Sequence, residues 1–202
     1  MASRIVFLTL VFVLSLVLAT NAQNEIIETI DEAKQLYLQK NLTESMNYLS
    51  HALELMNKEL LAQLESVFPE PLKNWRADSP FSQTMKTAYT TSLVSKCQYF
   101  KEGGGQSVEI EIQTNAPRIA NIKMAFVNPL MVKQLGDGAK IAAVSDRSCI
   151  ERYDAIDQFA ELVFVPTSSV MITIRGHEMK NTEVVAKYAE KVKWKLLEQI
   201  FP

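Results

Sequence analysis

Side chains that could act as nucleophiles, proton carriers or metal ligands are few in this 202-residue chain, which has two histidines and two cysteines. His51 falls within a predicted helix, and His177 follows a predicted strand with no second histidine at metal-binding spacing. A zinc site on either histidine would need cysteine or carboxylate ligands from distant positions. No GxSxG motif frames a serine nucleophile. We therefore predict no catalytic, metal-binding or cofactor-binding residue, no cofactor, and a protein that is not an enzyme.

The two cysteines, Cys97 and Cys149, leave two interpretations open. An even count in an exported protein permits one disulfide, whereas two buried thiols would act as small apolar side chains. Sequence spacing does not decide between them, because a disulfide requires that the two Cα atoms lie close together. Neither cysteine belongs to a CxxC pair, so a dithiol redox role is not predicted.

A run of three glycines, Gly103-Gly104-Gly105, suggests a phosphate-binding loop, but its surroundings do not fit one. Such a loop needs a Lys-Ser/Thr pair followed by a helix. Gln106-Ser107 follows the glycines, and Val108, Ile110 and Ile112 then alternate with polar residues as in a strand. We predict a β-hairpin turn here.

The N-terminal residues predict export. Arg4 precedes a nearly uninterrupted apolar run from Ile5 to Ala19, and Thr20-Asn21-Ala22 offers small residues for cleavage. Residues 1–22 thus match a secretory signal peptide. The rival interpretation is a retained membrane anchor. A membrane-spanning helix needs about 20 apolar residues, and the run from Ile5 to Ala19 is shorter than that. We expect a periplasmic or extracellular protein that is soluble after cleavage and has no transmembrane segment.

The charge balance argues against nucleic acid as a partner. Without Arg4, the chain carries 20 basic and 23 acidic side chains, a formal charge of −3. Nucleic-acid binding normally requires a concentrated basic face, and the basic residues here are scattered.

Hydrophobic periodicity divides the remaining chain into three parts. Residues 23–68 read as two amphipathic helices joined by a short link, which is typical of an antiparallel helical hairpin. Residues 69–91 read as a junction and loop, and residues 92–202 as an α+β body in the order ββ-α-βββ-α, with helices covering a mainly antiparallel sheet. Its last helix is expected to begin after Asn181 and to reach Ile200.

The junction is the most distinctive piece of the sequence. Pro69 and Pro71 cannot continue a helix, because each lacks a backbone N–H and disfavours helical geometry in the residue before it. Trp75 follows, and we expect its ring to pack against the body.

The helical hairpin, the Phe-Pro-Glu-Pro…Trp stretch from Phe68 to Trp75 and the α+β body together resemble a group of uncharacterised exported bacterial proteins. The order of elements in the body is also similar to the Mog1/PsbP-like α/β sandwich, a fold used for binding and assembly. The resemblances imply a binding or assembly role and supply no catalytic residues.

Three functional hypotheses follow. The leading one is a non-enzymatic exported protein whose helical hairpin docks on a protein partner or on a second copy. The alternative is a carrier of small apolar ligands or lipids, suggested by eight methionines and strongly apolar strands, although methionine commonly fills gaps in cores. The third is a hydrolase whose site is assembled from distant residues.

Overall fold

The computed structural model describes residues 24–86 and 90–202, so the predicted signal peptide lies outside the described residues. The chain divides into two units, residues 1–59 and residues 60–202. Within the described residues, no helix is both long enough and apolar enough to cross a membrane.

The first unit contains the predicted helical hairpin. Residues 24–38 are helical (α1), and the second helix, α2, spans Leu42–Glu65, of which residues 60–65 belong to the second unit. The connection of residues 39–41 is short, as an antiparallel helix pair requires. Most side chains in the seam between the helices are small: Ala33, Ser45 and Ala52 are buried, together with Thr29 and the larger Ile26. The Ser45 hydroxyl donates a 2.8 Å hydrogen bond to the carbonyl oxygen of Ala33.

The second unit is built on one antiparallel sheet of eight described strands, as the sequence predicts for an α+β body. The strand order is β1-β3-β4-β8-β7-β6-β5, and β2 pairs with β3 beside β1. The strands are β1 Trp75–Ala77, β2 Phe81–Lys86, β3 Thr91–Lys101, β4 Ser107–Thr114, β5 Lys140–Val144, β6 Arg147–Asp154, β7 Phe159–Phe164 and β8 Val170–His177. The remaining elements are α3 Ile119–Val127, a 3₁₀ helix Pro129–Leu135, α4 Glu183–Lys191 and α5 Trp194–Ile200.

Each face of the sheet has its own hydrophobic cluster. On the first face, alternate residues of the central strands, including Ile110, Leu162 and Ile174, pack under α4, α5 and the end of α2. On the second face, α3 and the 3₁₀ helix cover a smaller cluster that includes Ile150, Val163 and Met171. The rest of the second face is charged, which matches the alternation of buried and polar residues along β4.

The secondary structure differs from the sequence predictions in three places. Part of the expected loop, residues 69–91, forms the edge strands β1 and β2, because the outer edge of β3 has backbone groups that they satisfy. Four strands, not three, lie between α3 and α4. The expected final helix is broken at Val192, where the following Lys193 donates its backbone N–H to the carbonyl oxygen of Val67 instead of continuing the helical ladder.

Candidate functional site

The hairpin carries large apolar side chains on its outside, while the seam is filled mostly by small ones. On α2, Leu42, Met46, Leu49 and Leu53 recur at steps of four, three and four, and each is exposed, Leu53 by 59%. On α1 the exposed apolar side chains are Ile27, Ile30, Tyr37 and Leu38. We call these eight residues the hairpin face.

The eight residues belong to one face of the hairpin by helical geometry. At about 100° per residue, the apolar side chains of both helices lie roughly a quarter turn from the seam, in the same rotational sense. Since the two helices run antiparallel, this places both sets on one side of the hairpin. An exposed apolar patch formed by two helices, unlike single scattered apolar side chains, is typical of an interaction surface.

The hairpin around this face is acidic. Residues 24–59 contain seven acidic and three basic side chains, a formal charge of −4. Four of the acidic residues, Glu25, Glu28, Asp31 and Glu32, are exposed on α1. The hairpin face is therefore an apolar surface in a negative field.

A cleft lies in the second unit, between the β5–β6 turn and the two C-terminal helices. It has a volume of about 610 Å³, and a neighbouring cavity of about 260 Å³ shares Asp146, Arg147, Phe164 and Trp194 with it. The indole N–H of Trp194 donates to the carbonyl oxygen of Ala189 at 2.9 Å, and its ring packs against Phe164 at a centroid distance of 5.1 Å. The break after α4 thus orients a rigid aromatic wall in the cleft.

Arg147 lies against this wall. Its guanidinium carbon is 4.8 Å from the centre of the Trp194 ring, and its Nη1 donates a 2.6 Å hydrogen bond to Glu198. Stacking on an aromatic face and pairing with a carboxylate both hold an arginine in one orientation.

The charged part of the second sheet face is an ion-pair network centred on Arg175. Its guanidinium contacts Glu161 and Glu109 at 3.2 Å and Glu111 at 3.5 Å. In the same network Lys96 also pairs with Glu111 at 2.6 Å and Arg152 with Glu161 at 3.6 Å. Burial lowers the pKa of Arg175, but the three carboxylates outweigh this effect and raise it overall. From the sequence, Glu109 and Glu111 look like an ordinary wet strand face. Arg175 could not be linked to them without the pairing of β4 with β8.

The structure has both cysteines as free buried thiols, so the disulfide considered from the sequence is not formed. Cys97 lies on β3 and Cys149 on β6, with three strands between them. At about 4.8 Å per strand the separation approaches ~19 Å, far beyond disulfide geometry. Burial, followed by the charge of Glu151, raises the pKa of Cys149 to about 12. Burial also raises the pKa of Cys97.

The two histidines and the two cysteines do not come together in one site. His51 and His177 are both exposed, and the His177 ring packs on Phe159. Cys149 is buried two strands away from His177, in a different part of the sheet. Within residues 24–86 and 90–202, no group of three or more His, Cys, Asp or Glu side chains is placed to hold a metal ion.

The junction residues pack into the second unit. Pro69 is buried and Pro71 half-buried, and the Trp75 ring meets the Tyr188 ring edge-on at 5.6 Å. The backbone N–H of Leu72 donates to the Tyr188 hydroxyl at 3.4 Å. The expectation that Trp75 packs against the body therefore agrees with the structure.

Comparisons with known proteins give no family model, no curated relative and no solved structure that matches this chain.

Proposed function

We propose that this chain is a non-enzymatic exported binding protein whose hairpin face docks on an amphipathic helix of a partner protein. The observation that carries the proposal is the hairpin face itself, eight large apolar side chains that stay exposed while mostly small ones fill the seam. A two-helix apolar surface is suited to receive a third helix in the groove between its stripes.

The charge of the hairpin selects the kind of partner. A formal charge of −4 over residues 24–59 favours a helix flanked by lysine or arginine. A second copy of the chain would bring a further −4 to the same surface, and like charges brought together in this way oppose association. The proposed occupant is therefore a basic amphipathic helix.

A synthetic peptide tests the proposal directly. The probe is an amphipathic helix of about five turns with a leucine stripe and lysines on its polar face. A second peptide carries glutamates in place of the lysines, and a third has the first composition in scrambled order. By titration calorimetry the lysine peptide should bind, its affinity should fall with added salt, and the other two should bind weakly.

Substitutions locate the binding on the hairpin face. The double variant Leu49→Gln with Leu53→Gln should weaken peptide binding ~10-fold or more, because burying each leucine contributes about 1.5–3 kcal/mol. The matched control, Asn47→Gln with His51→Gln, changes two exposed residues of the same helix outside the face and should bind as the wild type does.

Two outcomes would overturn the proposal. One is equal binding of the lysine and glutamate peptides, or binding that ignores both leucine substitutions. The other is a dimer in light scattering that the leucine variant dissociates, which would assign the face to a second copy.

A further inference from the structure

The cleft beside Trp194 has the features of a small-molecule site that is independent of the hairpin face. Its volume of about 610 Å³ falls in the usual range for small-ligand pockets, roughly 300–1,000 Å³. The neighbouring cavity extends it past Phe126 and Pro166. Both lie entirely in the second unit.

Part of the cleft wall is apolar and aromatic, and the rest is polar or charged. Trp194 and Phe164 belong to both cavities, and Val144, Val192 and Leu196 line the larger one. The ring of Trp194 is fixed by its hydrogen bond to Ala189, so the part of the ring that Arg147 and Phe164 leave uncovered can meet a ligand without reorganisation. Such surfaces suit a ligand with an aromatic or aliphatic body.

The innermost charge of the cleft is a cation. Four of the charged residues that line the cleft are exposed: Asp146, Glu190, Lys193 and Lys195. The Arg147 side chain, in contrast, has only 26% of its surface exposed to solvent. Glu198, which accepts from Nη1 of Arg147, does not line either cavity. Among the described residues, the other N–H groups of Arg147 have no protein acceptor and remain for a ligand.

We propose that this cleft binds a small organic anion, a carboxylate or sulfonate on an apolar or aromatic body. The anionic group would accept hydrogen bonds from the free edge of Arg147, and the body would pack against the uncovered part of the Trp194 ring. Because Arg147 is held by Trp194 and Glu198 before the ligand arrives, little side-chain freedom is lost on binding.

The probe is 8-anilinonaphthalene-1-sulfonate, which combines an aromatic body with a sulfonate. Its uncharged analogue, N-phenyl-1-naphthylamine, has nearly the same body without the anion. The chain has two tryptophans, Trp75 and Trp194, so the variant Trp75→Phe leaves Trp194 as the sole reporter of quenching. The sulfonate should quench Trp194 saturably and bind more tightly than the uncharged analogue.

Arg147→Gln should weaken sulfonate binding by ~10-fold or more, because it removes the charged hydrogen-bond donors that the anion would use. It should change binding of the uncharged analogue little. Arg76→Gln is the matched control: Arg76 also stacks on a ring, that of Phe100 at 4.8 Å, and pairs with a carboxylate, but it lines neither cavity.

A second variant keeps the test decisive if Arg147→Gln does not fold. Gln199 is exposed on the wall of the larger cavity, and Gln199→Phe should obstruct the cleft without removing Arg147. Loss of Trp194 quenching in this variant supports the site. Unchanged quenching in both variants, or equal affinity for the two probes, would overturn it.

The hairpin variant separates this inference from the proposed function. Leu49→Gln with Leu53→Gln should leave quenching of Trp194 unchanged, because the reporter and the cleft belong to the second unit. If that variant abolished the quenching instead, the probe would be reporting the hairpin face and the cleft assignment would be wrong.

Discussion

The hydroxyl of Tyr99 donates a 2.8 Å hydrogen bond to the carbonyl oxygen of Pro69, joining the C-terminal part of β3 to the proline segment that follows α2. Tyr99 is fully buried, and its ring packs at 4.5 Å on that of Tyr188. Burial, followed by the contact with Cys97, raises the pKa of Tyr99. The hydroxyl therefore remains a donor throughout the neutral range.

Tyr99→Phe should lower the free energy of unfolding by about 1–3 kcal/mol, because it leaves the buried carbonyl of Pro69 without its donor. Urea unfolding followed by circular dichroism measures the change. Tyr37→Phe, which removes a hydroxyl from an exposed ring on α1, should leave stability unchanged. A loss no larger than that of the control would show that this hydrogen bond contributes nothing to stability.

Trp75→Ala should destabilise the second unit by about 2–4 kcal/mol, because it removes the ring that packs on Tyr188 beside the prolines. Trp75→Phe keeps an aromatic ring and should cost less. Thermal unfolding, together with limited proteolysis of residues 66–75, would show both effects. If the alanine variant melted and resisted protease as the wild type does, the junction would be a plain linker.

Alkaline pH should destabilise the protein through Cys149. Its pKa is near 9 when exposed and about 12 when folded, so between these values the unfolded chain releases a proton that the folded chain retains. The stability from this group is complete below about pH 9 and is lost as pH rises toward about 12.

Cys149→Ala should flatten this alkaline decline without abolishing it, since the raised pKa of Tyr188, about 12, acts in the same direction. Urea unfolding at pH 8, 9 and 10 (values chosen about the ordinary thiol pKa) gives the slope. The native thiols should also resist a disulfide reagent until urea unfolds the protein. An unchanged slope, or rapid labelling of the native protein, would contradict the burial of Cys149.

Arg175→Met should cost about 2–4 kcal/mol, because it removes the cation that Glu109, Glu111 and the buried Glu161 share. Lys96 on Glu111 and Arg152 on Glu161 then remain as the cations among the three carboxylates. Added salt should recover part of the loss by screening their repulsion. Arg76→Met removes an exposed ion pair with Asp78 and should cost less than about 1 kcal/mol. Equal losses for the two variants would mean that the network does not stabilise the sheet.

Much of the fold could be predicted from local patterns. The apolar alternation of Val108, Ile110 and Ile112 predicts β4, and the glycines after Lys101 predict its hairpin with β3, because both signals lie within a few residues. The edge strands β1 and β2 were missed because their short polar sequences become strands through pairing with β3.

The candidate sites likewise combine features that the local sequence predicts with features that depend on tertiary contacts. The sequence by itself determined most of the apolar stripe of α2, since helical spacing brings Met46, Leu49 and Leu53 together wherever the helix lies, whereas Leu42 was expected in the connection before the helix. Only the tertiary structure decided that another, mostly small set of side chains fills the seam and leaves that stripe exposed. It also separated Cys97 from Cys149 and brought Arg147 to Trp194, because strand order and the break at Val192 depend on contacts between distant parts of the chain.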